Sequence, residues 1–312
     1  MPKIAFLACP DTLPGSPTRR PDAFEHDLLL AALRDGLAGR AELTDIDWRS
    51  PLDVLAGFDL AYLGTPWDYT EAKDEFLARL DALEAAGVVV ANPAEVIRWN
   101  ADKLYLKELA ARGAPSIPTL WPEQPAPSDI HAAFDHFGCD RVVVKRRVGA
   151  GAIGQDSFRR GDAGIDTWRM DQPAMIQPFL PAIQREGELS FIFVGGALSH
   201  ALIKRAAAGD YRIQSLYGGS EVPLDPAPAD RAAAEAVMAM LPFAQPPAYA
   251  RIDMVRLDEG KLAVIEAELI EPYLYPEQGP EFGRKLADAL LERLRSPISR
   301  ARKLQSPQLK IN

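Results

Sequence analysis

The sequence predicts an α/β protein with α+β parts, built as more than one folding unit. Three features carry that prediction. Residues 1–97 alternate short apolar runs with longer segments whose apolar residues recur at helical spacing, the pattern of a parallel sheet covered by helices. Two β-type runs, Tyr249–Val255 and Leu262–Leu269, flank the turn signal Asp258-Glu259-Gly260, which predicts a hairpin. The length of 312 residues, with 47% hydrophobic and 25% charged side chains, allows two or three units with cores of their own.

In chain order, Lys3–Ala8 reads as a buried strand, followed by a loop over residues 9–21 rich in Pro, Thr, Ser and Gly. Asp22–Leu37 spaces Phe24, Leu28, Leu29, Leu33 and Leu37 as one helical face, and Gly39 can end it. Ala41–Asp47 and Leu60–Gly64 are further strands. Glu71–Ala86 is a helix through Phe76, Leu77, Leu80 and Leu83, with Gly87 at its C-cap. Val88–Ala91 closes this unit at Asn92-Pro93. Ligands bind beyond the carboxyl ends of parallel strands. Two loops sit at such ends, residues 9–21 and Thr65-Pro66-Trp67-Asp68-Tyr69. The second reads equally as a substrate wall and as a turn capped by an aromatic.

Trp99–Ala111 reads as a third helix with Asn100 as N-cap, stopped by Gly113 and by Pro115 and Pro118. A first boundary therefore falls near residue 98. Arg141–Lys145 is a β-branched run ending in lysine, and Gly149-Ala150-Gly151-Ala152-Ile153-Gly154 comes shortly after it. Such a loop lets backbone N–H groups approach phosphate oxygens beside a lysine charge; taken alone, it reads as a flexible hairpin loop. Met175–Leu180 is an apolar strand, and Glu188–Val194 pairs with Ala197–Lys204 around Gly195-Gly196. Residues 204–220 gather Lys204, Arg205 and Arg212 among glycines, which suits an anionic group or a solvated loop. Ala229–Met240 and Phe282–Leu294 are helices. Beyond Glu292 the chain is basic and reads as a mobile tail without an assigned function.

The hairpin carries the chemistry. Strand alternation puts Arg251, Asp253 and Val255 on one face, and Val264, Glu266 and Glu268 on one face of the second run. A two-residue and a four-residue turn give the same register, with Asp253 opposite Glu266 and Arg251 opposite Glu268. Facing carboxylates repel unless a positive charge lies between them. An oxygen-rich cluster suits a hard cation such as Mg²⁺, with Mn²⁺ as a substitute, held by one or two carboxylates plus phosphates. An exposed acidic face is the alternative, and the flanking apolar residues favour the metal.

Several function classes are disfavoured. A net charge of −9 argues against bulk electrostatic binding of nucleic acid. Cys9 and Cys139 form neither a disulfide framework nor a zinc motif. No apolar run approaches a membrane span, and MPKIAFLACPD is too short in its apolar part for a signal peptide, so a cytoplasmic location is expected. His26, His131, His136 and His200 sit in no recognisable motif, which leaves a Ser/His/Asp hydrolase without support.

The order of these parts resembles the ATP-grasp superfamily of carboxylate–amine ligases over residues 95–295, with an α/β pre-domain before it. The resemblance implies an ATP-grasp fold with a Rossmann-like pre-domain (1–97) and two α+β subdomains (98–178 and 179–312) clamping ATP. Lys103 and Lys145 match the two lysines on the ATP phosphates, and Gly149, Gly151 and Gly154 the lid loop. Gln177, Phe179 and Leu180 match the hinge strand at adenine, and Glu188 the acid on the ribose. Lys204 is placed with the nucleotide. Arg251 matches the arginine at the reacting carboxyl, while Asp253 and Glu266 match the metal ligands. Gly209-Asp210-Tyr211-Arg212 with Gly218-Gly219 resembles a stretch of the glutamate ligases, which makes Arg212 a ligand of phosphate or intermediate. The superfamily has Glu-x-Asn where this chain has Glu266-Ala267-Glu268, so Glu268 takes the third ligand position. The loop 66–69 and the stretch 177–188 are similar to the O-ureido-serine cyclo-ligases of D-cycloserine biosynthesis and their relatives. The activity this resemblance implies is that of an ATP-dependent ligase forming a C–N bond through an acyl phosphate on a small amino-acid-like substrate, in a homodimer. The pocket is expected from residues 10–20, 65–69, 205–219 and 270–278, where Tyr273 and Tyr275 suit a partly aromatic or polar molecule. A small-molecule kinase and a nucleotide-binding regulator without turnover are the alternatives.

Overall fold

The structure is a computed structural model that describes residues 1–149, 154–205 and 219–296. The first unit comprises β1 (Lys3–Ala8), α1 (Phe24–Leu37), β2 (Glu42–Asp47), α2 (Leu52–Leu55), β3 (Leu60–Thr65), a 3-10 turn (Trp67–Glu71), α3 (Lys73–Ala85) and β4 (Val89–Ala91). Its four strands form a parallel sheet in the order β2-β1-β3-β4, as the alternating pattern predicts. The loops after β1 and β3 leave the same sheet end side by side, because the Cys9 N–H donates to the Thr65 carbonyl at 2.9 Å.

The middle of the chain holds α4 (Ala94–Asn100), α5 (Tyr105–Ala111), α6 (Pro127–Phe137), β5 (Arg141–Arg146), β6 (Gln155–Arg159) and β7 (Ala174–Pro178). Strands β6-β5-β7 make an antiparallel sheet whose Val142 and Val144 pack on Ile130, Ala133 and Phe134 of α6. The remainder is α7 (Ala182–Arg185), β8 (Glu188–Val194), β9 (Ala197–Arg205), β10 (Ser220–Leu224), α8 (Pro228–Ala239), β11 (Tyr249–Arg256), β12 (Leu262–Glu268) and α9 (Phe282–Arg295). Its five-stranded sheet runs β10-β9-β8-β11-β12. Among the described residues no helix is long and apolar enough to cross a membrane.

The first unit is not sealed off from the last. Helix α9 returns to α1, and the two cross at glycines: a Cβ on Gly36 would lie 2.0 Å from the Gly283 carbonyl oxygen. Leu286 and Leu290 of α9 share one core with Leu29 and Leu33 of α1 and with Ile192 and Val194 of β8. Two asparagines between the units act as pieces of backbone. Asn92 donates to the carbonyls of Tyr249 (2.9 Å) and Leu269 (2.8 Å) and accepts from the Ala248 N–H (2.6 Å).

Asn100, the second, corrects an expectation. It ends α4 and does not cap a helix. Its side chain donates to the Ala267 carbonyl at 2.7 Å and accepts from the Leu269 N–H at 2.8 Å, along the free edge of β12. The Tyr105 hydroxyl takes the Ala267 N–H at 3.0 Å. The helix expected over 99–111 is therefore two helices with a turn between them, and Asp102 accepts the Leu104 N–H at 2.9 Å where the second begins.

The hairpin also departs from simple alternation. The Leu257 N–H donates to the Lys261 carbonyl at 2.8 Å, and Gly260 takes φ +83 to close a three-residue turn. A bulge between Asp253 and Met254 then restores the expected pairs, Asp253 with Glu266 and Arg251 with Glu268. The bulge separates Val264 from the glutamates. Val264 packs with Met254 and Ala267 in one core, while Val255, Ala263 and Ile265 pack in another.

Candidate active site

Strand β11 lies between β8 and β12, so Asp253 is flanked by Ser190 on one side and Glu266 on the other. The Ser190 hydroxyl donates to Asp253 Oδ1 at 2.5 Å. Arg251, two residues earlier on the same face, donates from Nε to both Asp253 oxygens at 3.1 and 3.0 Å. Its Nη1 donates to the Tyr273 carbonyl at 2.9 Å, and its Nη2 pairs with Glu268. Lys204 on β9 faces Glu188 on β8, pairs with it, and lies 3.2 Å from Asp253 Oδ2. Burial works against the Lys204 ammonium, but Asp253 and Glu188 more than offset it and raise its pKa. Burial likewise opposes the Asp253 carboxylate, and Arg251 and Lys204 overcome it, so its pKa falls below the ordinary value. The pair of strands thus holds ionised groups in a core that would expel them singly.

Two lysines arrive from outside this sheet. Lys103, in the turn between α4 and α5, bonds Glu266 Oε1 and the Gly149 carbonyl, each at 2.8 Å. Its ammonium is disfavoured by burial and favoured more strongly by Glu266, so its pKa is raised. Lys145 lies on the β5 face opposite Val142 and Val144, and Glu266, Glu188 and Lys103 are its charged neighbours. Burial lowers its pKa, with Glu266 and Glu188 opposing the shift. A cleft between the β5 sheet and the β11–β12 hairpin is therefore lined by lysines on one wall and carboxylates on the other.

Of the residues expected at the hinge, Gln177 lies in β7, and Phe179 and Leu180 follow it. Gln177 is buried and donates to the Thr119 hydroxyl at 3.0 Å. The Phe179 N–H donates to the Arg141 carbonyl at 2.9 Å, and the Arg141 guanidinium lies 3.7 Å from its ring centroid. Leu180 packs with Ile117, Val255, Ala263 and Ile265, an apolar floor. Gly154 takes φ +71, and a Cβ there would have to push aside the Arg146 side chain, whose Nε would lie 2.4 Å away. Gly151 and Arg212 lie outside the described residues, as do the greater part of the 205–219 segment and the tail beyond residue 296.

Sequence reasoning did not single out Arg147 or Glu271, and it left the neighbours of Tyr69 open. Arg147, one residue past β5, is forked onto Asp102 (3.0 and 2.6 Å) and reaches Glu123 (2.6 Å), while its carbonyl accepts the Lys103 N–H (3.0 Å). It ties the Lys103 turn to the root of the glycine-rich loop. Glu271 is a further acid at the site, pushed up to about 7 by burial, with Arg251 opposing and Glu266 adding to the shift. An acid placed directly before Pro272 in an apolar run was the available signal. The buried Tyr69 has Glu271, Glu266 and Glu268 as its charged neighbours. Loop 66–69 is a turn closed by the buried aromatic Tyr69. Asp68 fastens it by accepting from Trp48 Nε1 at 2.7 Å and pairing with Arg49. Trp67 stays half-buried beneath the Arg20 guanidinium, 4.9 Å from the ring centroid.

The acids imply a cation. Among the described residues no three His, Cys, Asp or Glu side chains close into a metal cage. Asp253, Glu266 and Glu268 are instead each engaged by Arg251, Lys204 or Lys103. The donor set still fits Mg²⁺, which takes hard oxygens and needs only one or two carboxylates when phosphates complete its shell. Burial raises the Glu268 carboxyl despite Arg251, so added positive charge is welcome there.

One half-buried histidine predicts a pH effect. His200 on β9 donates from Nε2 toward the Leu274 (3.1 Å) and Tyr275 (3.0 Å) carbonyls, and its Nδ1 meets the Ser199 hydroxyl at 3.1 Å. Burial lowers its pKa to about 4, the two carbonyls oppose the shift, and Lys285 on α9 adds to it. A lowered folded-state pKa means stability that is complete above the unfolded value of about 6.5 and lost as pH falls toward 4. Thermal midpoints of the chain should fall across that window more steeply than those of His200→Gln. Parallel curves would reject a neutral His200.

Comparison with known proteins agrees with this geometry. Residues 4–92 match the family model described as D-cycloserine synthetase DcsG, N-terminal domain. The cycloserine biosynthesis protein DcsG of Streptomyces lavendulae is 29% identical over 266 residues, covering 80% of this chain and 88% of the relative. The crystal structure of D-cycloserine synthetase DcsG superposes with a TM-score of 0.79 at 25% identity, covering 94% of this chain and 99% of that one. The chain has an ATP-grasp fold. A glutathione synthetase from Ralstonia nicotianae is 28% identical over 177 residues, 53% of this chain and 51% of the relative. D-alanine–D-alanine ligase from Bacillus anthracis, solved with ATP, shares the fold at a TM-score of 0.66 and 17% identity. The stretch matched by the family model holds the four-stranded parallel sheet.

Proposed function

We propose that the chain is an ATP-dependent carboxylate–amine ligase that forms a C–N bond through an acyl phosphate and releases ADP and phosphate. The observation that carries this reading is the facing of Lys103 and Lys145 with Asp253, Glu266 and Arg251 across one cleft. ATP would lie between the β5 sheet and the hairpin, its phosphates against Lys103 and Lys145 and its base over the floor of Leu180 and Ile265. Asp253, Glu266 and Glu268 would hold Mg²⁺, or Mn²⁺, which supplies charge neutralisation beside the phosphates. Lys103 is positioned to exchange Glu266 and the Gly149 carbonyl for phosphate oxygens. A substrate carboxylate attacks the γ-phosphorus as the bond to the leaving ADP oxygen breaks, a step catalysed by positioning and charge. An amine then attacks the acyl carbon and phosphate leaves. Arg251, held by Asp253 and Tyr273, is oriented to stabilise the oxyanion between these events.

The likeness to cycloserine biosynthesis proteins and to amino-acid ligases supports a small amino-acid-like acyl substrate and allows ring closure as the outcome. Hydroxylamine intercepts an acyl phosphate. The chain is expected to yield a hydroxamate from Mg-ATP and one amino-acid-like carboxylate, with ADP and phosphate in equal amounts. AMP and pyrophosphate as products would refute the mechanism, and a stable phosphorylated product without hydroxamate would make the chain a kinase.

A further inference from the structure

Tyr275 is the one described residue other than glycine, apart from Ala38 at the end of α1, with a positive φ, at +48. A bulky side chain in the left-handed region costs energy and persists only where its surroundings impose it. Here they do. His200 Nε2 holds the carbonyls of both Leu274 and Tyr275, and Arg251 Nη1 holds that of Tyr273. Gly279 makes room for this arrangement, since a Cβ there would meet His200 Nδ1 at 2.4 Å. The result aims one phenol. The Tyr275 side chain is more than nine-tenths buried, with the Arg251 guanidinium 5.6 Å from its ring centroid. Lys204 and Arg251 are its strongest charged neighbours. Yet its hydroxyl makes no hydrogen bond to a described residue. A phenol hydroxyl beside two cations can donate to an acceptor brought by a ligand, because ammonium and guanidinium groups offer none.

We propose that the Tyr275 hydroxyl donates a hydrogen bond to the acyl oxygen of the substrate beside Arg251, and that His200 is the positioning residue that holds it there. This rests on the ligase reading. No proton is transferred: the phenol keeps its hydrogen, and the bond shortens as charge grows on the acyl oxygen.

The test uses the full chain with Mg-ATP, hydroxylamine as the amine, and a mixture of D- and L-amino acids as the acyl source. Tyr275→Phe should lower hydroxamate formation about 10- to 100-fold, the worth of one hydrogen bond to a charged group, with the KM for ATP and the melting midpoint unchanged. His200→Ala and Gly279→Ala should raise the KM for the amino acid more than that for ATP, and His200→Gln, which keeps an N–H donor, should recover part of the loss. A purely structural His200 would lower the melting midpoint and move both KM values together. A wild-type rate in Tyr275→Phe overturns this inference alone. Absence of hydroxamate from the unaltered chain, with ATP still bound, overturns the ligase reading and this inference with it.

Discussion

Replacing Asp253 by alanine is expected to lower metal-dependent ATP turnover by about 10³-fold or more, since a bound cation supplies several kcal/mol of charge stabilisation in phosphoryl transfer. Asp253 has a second task, however. It is the shared partner of Arg251, Lys204 and Ser190. Alanine would leave two buried cations short of their counter-charge, and lost activity could then reflect lost structure. Asp253→Asn keeps the shape and the oxygen that accepts from Ser190. Glu266→Gln tests the facing acid, which pairs with Lys103. Both substitutions should raise the Mg²⁺ concentration at half-maximal rate; Glu266→Gln should leave the urea midpoint close to that of the unaltered chain, whereas Asp253→Asn, which also removes the counter-charge of Arg251 and Lys204, should lower it less than alanine does. An unchanged Mg²⁺ dependence in both would reject these residues as the metal pair.

Removal of Arg251 should damage both fold and chemistry. Its guanidinium is buried between Asp253, Glu268 and the Tyr273 carbonyl. Breaking one partner out of a buried ionic group costs about 3–5 kcal/mol, because the other charges stay behind uncompensated. Arg251→Ala is therefore expected to lose about that much in denaturant unfolding and nearly all acyl transfer. Arg251→Lys isolates the chemistry: one ammonium cannot reach both carboxylates and the carbonyl in the planar fork of arginine. It should retain more stability than alanine and still turn over poorly. Full activity in Arg251→Lys would show that a point charge suffices and that the fork is dispensable.

Strand existence was legible wherever a run was short, apolar and bounded by Gly or Pro, as in Lys3–Ala8, which the structure reproduces residue for residue. The facing of Asp253 with Glu266 was legible too, because the register is anchored from the turn. The reason it held differs from the one the sequence suggested. A three-residue turn and a bulge cancel, and alternation makes no allowance for a bulge, so Val264 was put on the wrong face. Asn100 was misread for a related reason. Asn before a helical pattern is a good cap by local rules, and nothing local indicates that its partner is a strand edge 167 residues away. Arg147 and Glu271 escaped because their meaning depends on which elements meet in space. The acid side of the cleft was visible as sequence, whereas the pairing of each acid with its own cation was not.

The side-chain cover on the last strand of the central sheet has a consequence for how the chain reaches its fold. An uncovered strand edge invites pairing with another chain. Here the edge of β12 is closed by Asn100 and Tyr105, and it is made 162 to 169 residues after them. During synthesis the cover is made before the hairpin that needs it. Contacts of such long range slow folding and prolong the exposure of incomplete sheets. Refolding of the isolated C-terminal part, deprived of residues 92–105, should therefore favour association over solution of the monomer. The segment that carries Lys103 thus also serves as a built-in guard against aggregation.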